Sequence, residues 1–190
     1  MQKLLILFFV AIAIALLIAP DYEKRLRGES SLCQKADSKA VEKAIEKSIL
    51  WASDEQIRRL VKSVERKYGS EIKLISKKYY TSAKDIKAIA IVESLVDPEA
   101  ESSDGAVGLM GVKRTTGMDM GFDDIAHPIN NLHAGTKYYR LMLKKFKDED
   151  LALAAYNLGP REVEKRLNKG FNPETMDYIW KIRRVRQLVM

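Results

Sequence analysis

The stretch Ser82-Ala-Lys-Asp-Ile-Lys-Ala-Ile-Ala-Ile-Val-Glu-Ser94 decides the fold class. Ser82 followed three residues on by Asp85 has the form of a capping box, which opens a helix at Ala83. That helix runs to about Ser94 and stops before Pro98. Ile86, Ile89 and Ala90 lie on the face of Glu93 at helical spacing. A carboxyl group among such neighbours loses hydration, which disfavours its ionised form, and the C-terminal end of the helix dipole acts in the same sense. A carboxylic acid kept protonated near neutral pH is suited to general-acid chemistry. The plain alternative is a glutamate exposed at a helix end, and periodicity by itself leaves both readings open.

Working outward, the helical period persists on both sides. Val41, Ala44, Ile45 and Ile49 form one stripe between Ser38 and about Tyr80. After a cap at Ser53, with Gln56 three residues on, Ile57, Leu60, Val61, Val64 and Tyr68 form a second. Gly69 suits the C-terminal end of that helix, and a third short helix carries Ile72, Ile75 and Tyr79. Downstream, a loop rich in Gly, Asp and Ser spans about 97–121, with room for a small hairpin within 100–120. Further helices are expected over 130–147 and from 149 to about 156, then amphipathic segments around 162–168 and 174–189. No strand-like alternation is sustained, so the chain is expected to be mostly α.

The ends and the composition bound the rest. Of 190 residues, 46% are hydrophobic and 31% charged, which is the balance of a folded domain and not of a disordered one. The formal charge of +7 predicts attraction to polyanions without choosing among them. Residues 1–20 hold the apolar run Leu4–Ala19 and read as an N-terminal signal anchor or signal peptide. No good cleavage site follows, because Ala13-Ile-Ala15 lies inside the run and Pro20 hinders cutting after Ala19, so an uncleaved anchor is favoured. Lys24, Arg25 and Arg27 after the run outnumber Lys3 before it, which by the positive-inside rule would hold the following residues in the cytoplasm. Residues 21–37 read as a polar tether and 38–71 as an N-terminal helical extension. Cys33, the single cysteine, excludes an intrachain disulfide and reads as incidental. His127 and His133 share no helical face and no Cys or Glu joins them, so no metal is expected, and no cofactor motif is present. Arg183-Arg-Val-Arg186 lies on a terminal helix with Ile179, Ile182 and Val185, which argues against nucleic-acid binding.

Several separated motifs then occur in order. Glu93-Ser94 is followed by Pro98-Glu-Ala100-Glu-Ser102 and by Gly105-Ala-Val-Gly108-Leu-Met-Gly111. Asn131, Gly135 and Tyr138 come next, then Ala155-Tyr156-Asn157-Leu-Gly159 and Glu174-Thr-Met-Asp-Tyr178. Their order and spacing resemble the catalytic domain of the soluble lytic transglycosylase (SLT, goose-lysozyme-like) family over roughly residues 72–185. Two departures stand out. Gly111 occupies the place of the family's usual Gln, and Lys113-Arg-Thr-Thr116 replaces a common Pro-Thr.

The resemblance implies a lysozyme-like helical domain over 72–190 with a substrate cleft. It implies an enzyme that cleaves the bond between N-acetylmuramic acid and N-acetylglucosamine in peptidoglycan. Glu93 would first protonate the bridging oxygen, then as carboxylate accept the proton of the muramyl 6-hydroxyl, closing a 1,6-anhydro ring. Ser102 would sit near Glu93 and orient it or the substrate acetamido group, and Met110 would line the floor of the cleft. Tyr156, Asn157 and Tyr178 would bring two phenols and an amide. The position of Gly111 would line the sugar cleft, without the amide. Asn131 reads more simply as a helix-start residue than as a ligand. The expected partner is the peptidoglycan glycan strand, met outside the cytoplasm in periplasm or cell wall, with the inner-membrane anchor in residues 4–19. This placement overrides the charge rule at the terminus. Two rivals stand beside it: a lysozyme-type muramidase hydrolysing the same bond, and a weakly active glycan-binding component of an envelope-spanning assembly.

Overall fold

The structure, a computed structural model, describes residues 51–189. The apolar run Leu4–Ala19, the polar tether, Cys33 and the stripe Val41–Ile49 lie outside the described residues. Among those described, no helix is long and apolar enough to cross a membrane.

Residues from Asp54 onward form one unit of helices. Helix α1 (Asp54–Tyr79) is continuous for 26 residues where two helices divided at Gly69 were expected. The reason is its buried face. Ile57, Val64, Ile72 and Ile75 repeat at helical spacing across the glycine. Each contributes roughly 1.5–3 kcal/mol on burial, against ~1 kcal/mol for a glycine inside a helix. No helix end therefore separates residues 54–71 from those that follow.

Helix α2 (Ala83–Ser94) has the expected bounds. Ile86, Ala88, Ile89, Ala90 and Ile91 are fully buried, so α2 is apolar nearly all round and forms the central rod of the unit. Helix α1 and the C-terminal α7 (Asp177–Leu188) pack on it. The capping box is only half realised. The Ser82 side chain accepts from Lys84 N at 3.2 Å, but the Asp85 carboxylate turns inward. There it lies 2.8 Å from Arg186 Nε and accepts from the Tyr139 hydroxyl at 3.3 Å. A half-buried guanidinium outcompetes a backbone N–H at the helix start as its partner.

The loop after α2 holds the expected small hairpin, β1 (Ala106–Val107) antiparallel to β2 (Val112–Lys113). It also contains a short helix that the sequence pattern did not suggest, α3 (Arg114–Asp119). Helix α4 (Pro128–Phe146) packs on α1 and on α5 (Glu149–Leu158), and α5 packs on α6 (Pro160–Leu167). Ala152, Leu153, Ala154 and Ala155 make the buried face of α5, small enough for close approach to its neighbours. Helix α7 buries Tyr178, Ile179, Ile182 and Val185. Its basic run is taken up internally. Arg183 pairs with Asp150 and Glu174, Arg184 with Asp54, and Arg186 with Asp85 and Glu149.

Candidate active site

Helix α2 ends with its C-cap at Leu95, whose N–H reaches back to Ile91 O at 3.0 Å. Both Leu95 and Val96 have positive φ, +54° and +69°, so the chain turns sharply immediately after Glu93 and Ser94. A β-branched residue adopts that conformation only where surrounding contacts hold it there. Buried Ser94 is one such contact. Its hydroxyl accepts from Val96 N at 3.2 Å and is shared between the carbonyls of Ala90 (2.9 Å) and Leu109 (3.0 Å). The end of the acid's helix is thereby tied to the hairpin turn.

That turn is pinned twice more. Asn131, fully buried in the first turns of α4, accepts from Met110 N at 2.8 Å. Its amide nitrogen donates to Val107 O at 2.8 Å and to Ile125 O at 2.9 Å. The Tyr156 hydroxyl of α5 donates to Met110 O at 2.6 Å. Close approach needs glycines on two sides. A β-carbon on Gly135 would stand 2.9 Å from the Tyr156 hydroxyl oxygen, and one on Gly108 would meet the Asn131 amide nitrogen at 2.5 Å. Asn131 is therefore neither helix cap nor exposed ligand; the N-cap of α4 is His127.

Two cavities share Glu93 and Asn157 as walls. One, of about 480 Å³, is lined also by Ser102, Gly111, Lys113 and Tyr156. The other, of about 470 Å³, is lined by Val92, Met176, Tyr178 and Lys181. Burial raises the Glu93 carboxyl to about 7, an effect that the neighbouring Tyr178 hydroxyl partly offsets. Tyr178 is itself buried, and burial together with the charge of Glu93 holds its phenol well above the usual range. Although it stands beside Glu93, its oxygen makes no well-formed hydrogen bond with any described residue. Glu101 and Asp104 line the first cavity but are exposed on the loop.

The sequence candidates are placed as follows. Glu93, Ser102, Gly111, Tyr156 and Asn157 share the first cavity, and Tyr178 joins Glu93 and Asn157 in the second. Ser102 Oγ accepts from Ala106 N at 3.0 Å, so it braces the loop as well as facing the cavity. Met110 departs from expectation. Its side chain is fully buried beneath Gly135 and Thr136 and lines neither cavity. Leu109 and Met110 instead supply the carbonyls and N–H by which three helices hold the turn. The Tyr156 phenol is likewise committed to Met110 O, so its ring faces the cavity while its proton does not. The bracing role of Asn131 escaped the sequence reading. The spacing Asn131–Gly135, which puts both on one helix face, was the available signal.

A family model described as the transglycosylase SLT domain matches residues 70–179. Among curated relatives, the membrane-bound lytic murein transglycosylase F of Cellvibrio japonicus is 35% identical over 86 residues, 42% of this chain and 17% of that protein. The protein of the same name from Yersinia enterocolitica is 38% identical over 103 residues, 47% of this chain and 21% of that protein. The chain thus spans about a fifth of the length of these relatives. Among solved structures, the 70 kDa soluble lytic transglycosylase of Escherichia coli superposes with a TM-score of 0.52 at 25% identity, covering 64% of this chain and 22% of that one. An inactive mutant of lytic transglycosylase Slt from Pseudomonas aeruginosa gives a TM-score of 0.50 at 23% identity over 68% of this chain and 25% of that one. The mostly helical architecture is similar to that of these structures.

Proposed function

Because the chain belongs to the transglycosylase SLT domain family, we propose that it is a peptidoglycan lytic transglycosylase in which Glu93 serves as acid and then as base. The observation that carries this reading is the half-buried Glu93 carboxyl, raised to about 7 where it lines two cavities. At neutral pH a large fraction is protonated and can donate to the oxygen between muramyl and glucosaminyl units. The carboxylate left behind then accepts the proton of the muramyl 6-hydroxyl, which attacks the anomeric carbon. The bond to the leaving sugar breaks, an internal ether forms, and no water is consumed. Attack from within the same sugar gains from proximity. The exposed Asn157 amide would contact the sugars beside the acid, and the buried Tyr178 hydroxyl would act on Glu93 itself. Ser102 lines the glycan path, and Gly111 bounds it next to the carboxyl.

A hydrolytic reading has one observation in its favour, since Glu101 and Asp104 line the same cavity as Glu93. A second carboxylate of that kind serves glycosidases that use water or form a covalent intermediate. Both are exposed loop residues, which favours the single-carboxyl route. The substrate places the domain outside the cytoplasm. The run Leu4–Ala19 would tether it to the inner membrane, in keeping with the name of the curated relatives. A partner in an envelope assembly remains compatible with this placement.

Digestion of purified peptidoglycan followed by mass spectrometry tests the proposal. Anhydromuramyl products from wild type, reduced by a factor of about 10²–10⁴ in Glu93→Gln, are expected. Reducing-end muramic acid as the dominant product would establish the hydrolase instead. Binding with no clearing that depends on Glu93 would leave only a glycan-binding module.

A further inference from the structure

Gly111 combines a positive φ with a close approach to the Glu93 side chain. It closes the turn between β1 and β2 with φ +56°, its N–H donating to Gly108 O at 3.1 Å. A β-carbon at that position would stand 2.7 Å from Glu93 Oε2, 3.2 Å from Cδ and 3.4 Å from the Glu93 Cβ. The Glu93 side chain therefore lies along the bare Cα of Gly111 over its length, and rotating the carboxyl alone does not clear the space. The turn cannot retreat either, because Ser94, Asn131 and Tyr156 hold Leu109 and Met110 from three helices.

We propose that Gly111 is the positioning residue of the acid: its lack of a side chain fixes where the Glu93 carboxyl sits. The inference rests on the role given to Glu93 above. It turns the missing family amide from a lost sugar contact into a device of this chain. A side chain at 111 pushes the carboxyl off the turn and toward the water of the cleft. The groups facing it stay the same: Tyr156 from α5, Tyr178, Asp177 and Lys181 from α7, and Glu101, Asp104 and Lys113 around the first cavity. The change in proton affinity then comes from lost burial.

Gly121 supplies the control, with φ +83° and nothing within 4 Å of a β-carbon. Gly121→Ala and Gly111→Ala both place alanine at positive φ and differ in contact with the acid. Each is made in the full-length chain, with peptidoglycan turnover followed against pH. Gly121→Ala should keep the wild-type kcat and alkaline limb. Gly111→Ala should lose at least about tenfold in kcat, more than it changes KM, and its alkaline limb should move toward the ordinary carboxylate range. Thermal melts of both variants in wild-type and Glu93→Ala backgrounds give a readout independent of activity. Without the Glu93 side chain, Gly111→Ala should lower Tm no more than Gly121→Ala does. Indistinguishable pH profiles for the two variants, or a Gly111→Ala melting penalty that persists in Glu93→Ala, would overturn the proposal. Inactivity of the wild type would refute the function assigned to Glu93 while the melting comparison still decides the placement.

Discussion

The hydroxyl of Tyr156 donates to the carbonyl of Met110 across 2.6 Å, joining residues 46 positions apart. With Asn131 holding the N–H of the same residue at 2.8 Å, both backbone polar groups of Met110 are bonded to buried side chains from two helices. The acid lies on α2, yet the surface against which it rests is the next residue of this turn. The placement of the Glu93 carboxyl therefore depends on hydrogen bonds that do not touch it.

Tyr156→Phe removes one of those bonds and leaves a buried carbonyl unpaired, which costs about 1–3 kcal/mol. Asn131→Leu removes three and leaves Met110 N, Val107 O and Ile125 O unpaired. Denaturant unfolding should show the Asn131 variant as the less stable of the two by at least about 1 kcal/mol. Equal losses would mean that water or relaxation satisfies the exposed groups.

Glu93→Gln should stabilise the fold in a pH-dependent way. Its carboxyl is raised from an ordinary 4.5 to about 7 in the folded state. Below 4.5 both states are protonated and the residue is neutral in effect. Between 4.5 and 7 the folded state binds more protons, so wild-type stability falls as pH rises, and above 7 the loss is complete at roughly 3 kcal/mol. The gain from Glu93→Gln should therefore be small at about pH 4 and largest above about pH 7.5 in urea titrations. A gain independent of pH would show that the carboxyl is not perturbed.

Asp85 and Arg186 tie the start of α2 to α7, the helix that carries Tyr178. Burial outweighs the Arg186 guanidinium and holds the Asp85 carboxyl above its usual range. Asp85→Ala leaves a half-buried guanidinium with the more exposed Glu149, and a loss of about 3 kcal/mol is expected. Asp85→Ala with Arg186→Leu should be less damaging than Asp85→Ala alone, as thermal unfolding of both would show.

Gly69→Ala should stabilise α1 by about 0.5–1 kcal/mol, read as a small rise in Tm. The new methyl group meets the Glu65 carboxylate at 2.8 Å, the far end of a flexible side chain. Moving it weakens a partly exposed pair with Lys87, which is worth little. Destabilisation would mean that the Glu65–Lys87 pair fastens α1 to α2 more strongly than exposed pairs do.

Helix positions, the hairpin in the 100–120 loop and the raised Glu93 carboxyl were legible because they depend on local rules. Apolar periodicity, caps and ordered motifs are carried by neighbours in the chain. The break expected at Gly69 misled because a local propensity of ~1 kcal/mol was weighed without the buried face that overrides it. Asp85 misled for the same reason, since its partners Arg186 and Tyr139 lie 101 and 54 positions away and a capping rule sees three residues. Met110 was expected in the cleft from its motif, but only packing shows that its side chain is buried away from both cavities.

The sequence alone determined that α2 would end on a carboxyl flanked by isoleucines, because helical spacing dictates which residues share a face. Tertiary structure decided how that carboxyl is held. Ser94, Asn131 and Tyr156 converge on one turn from separate helices, and Gly111 leaves the acid room against it. Contacts between distant residues in three dimensions have no period in the chain, so their effect on Glu93 appears only once the helices are packed.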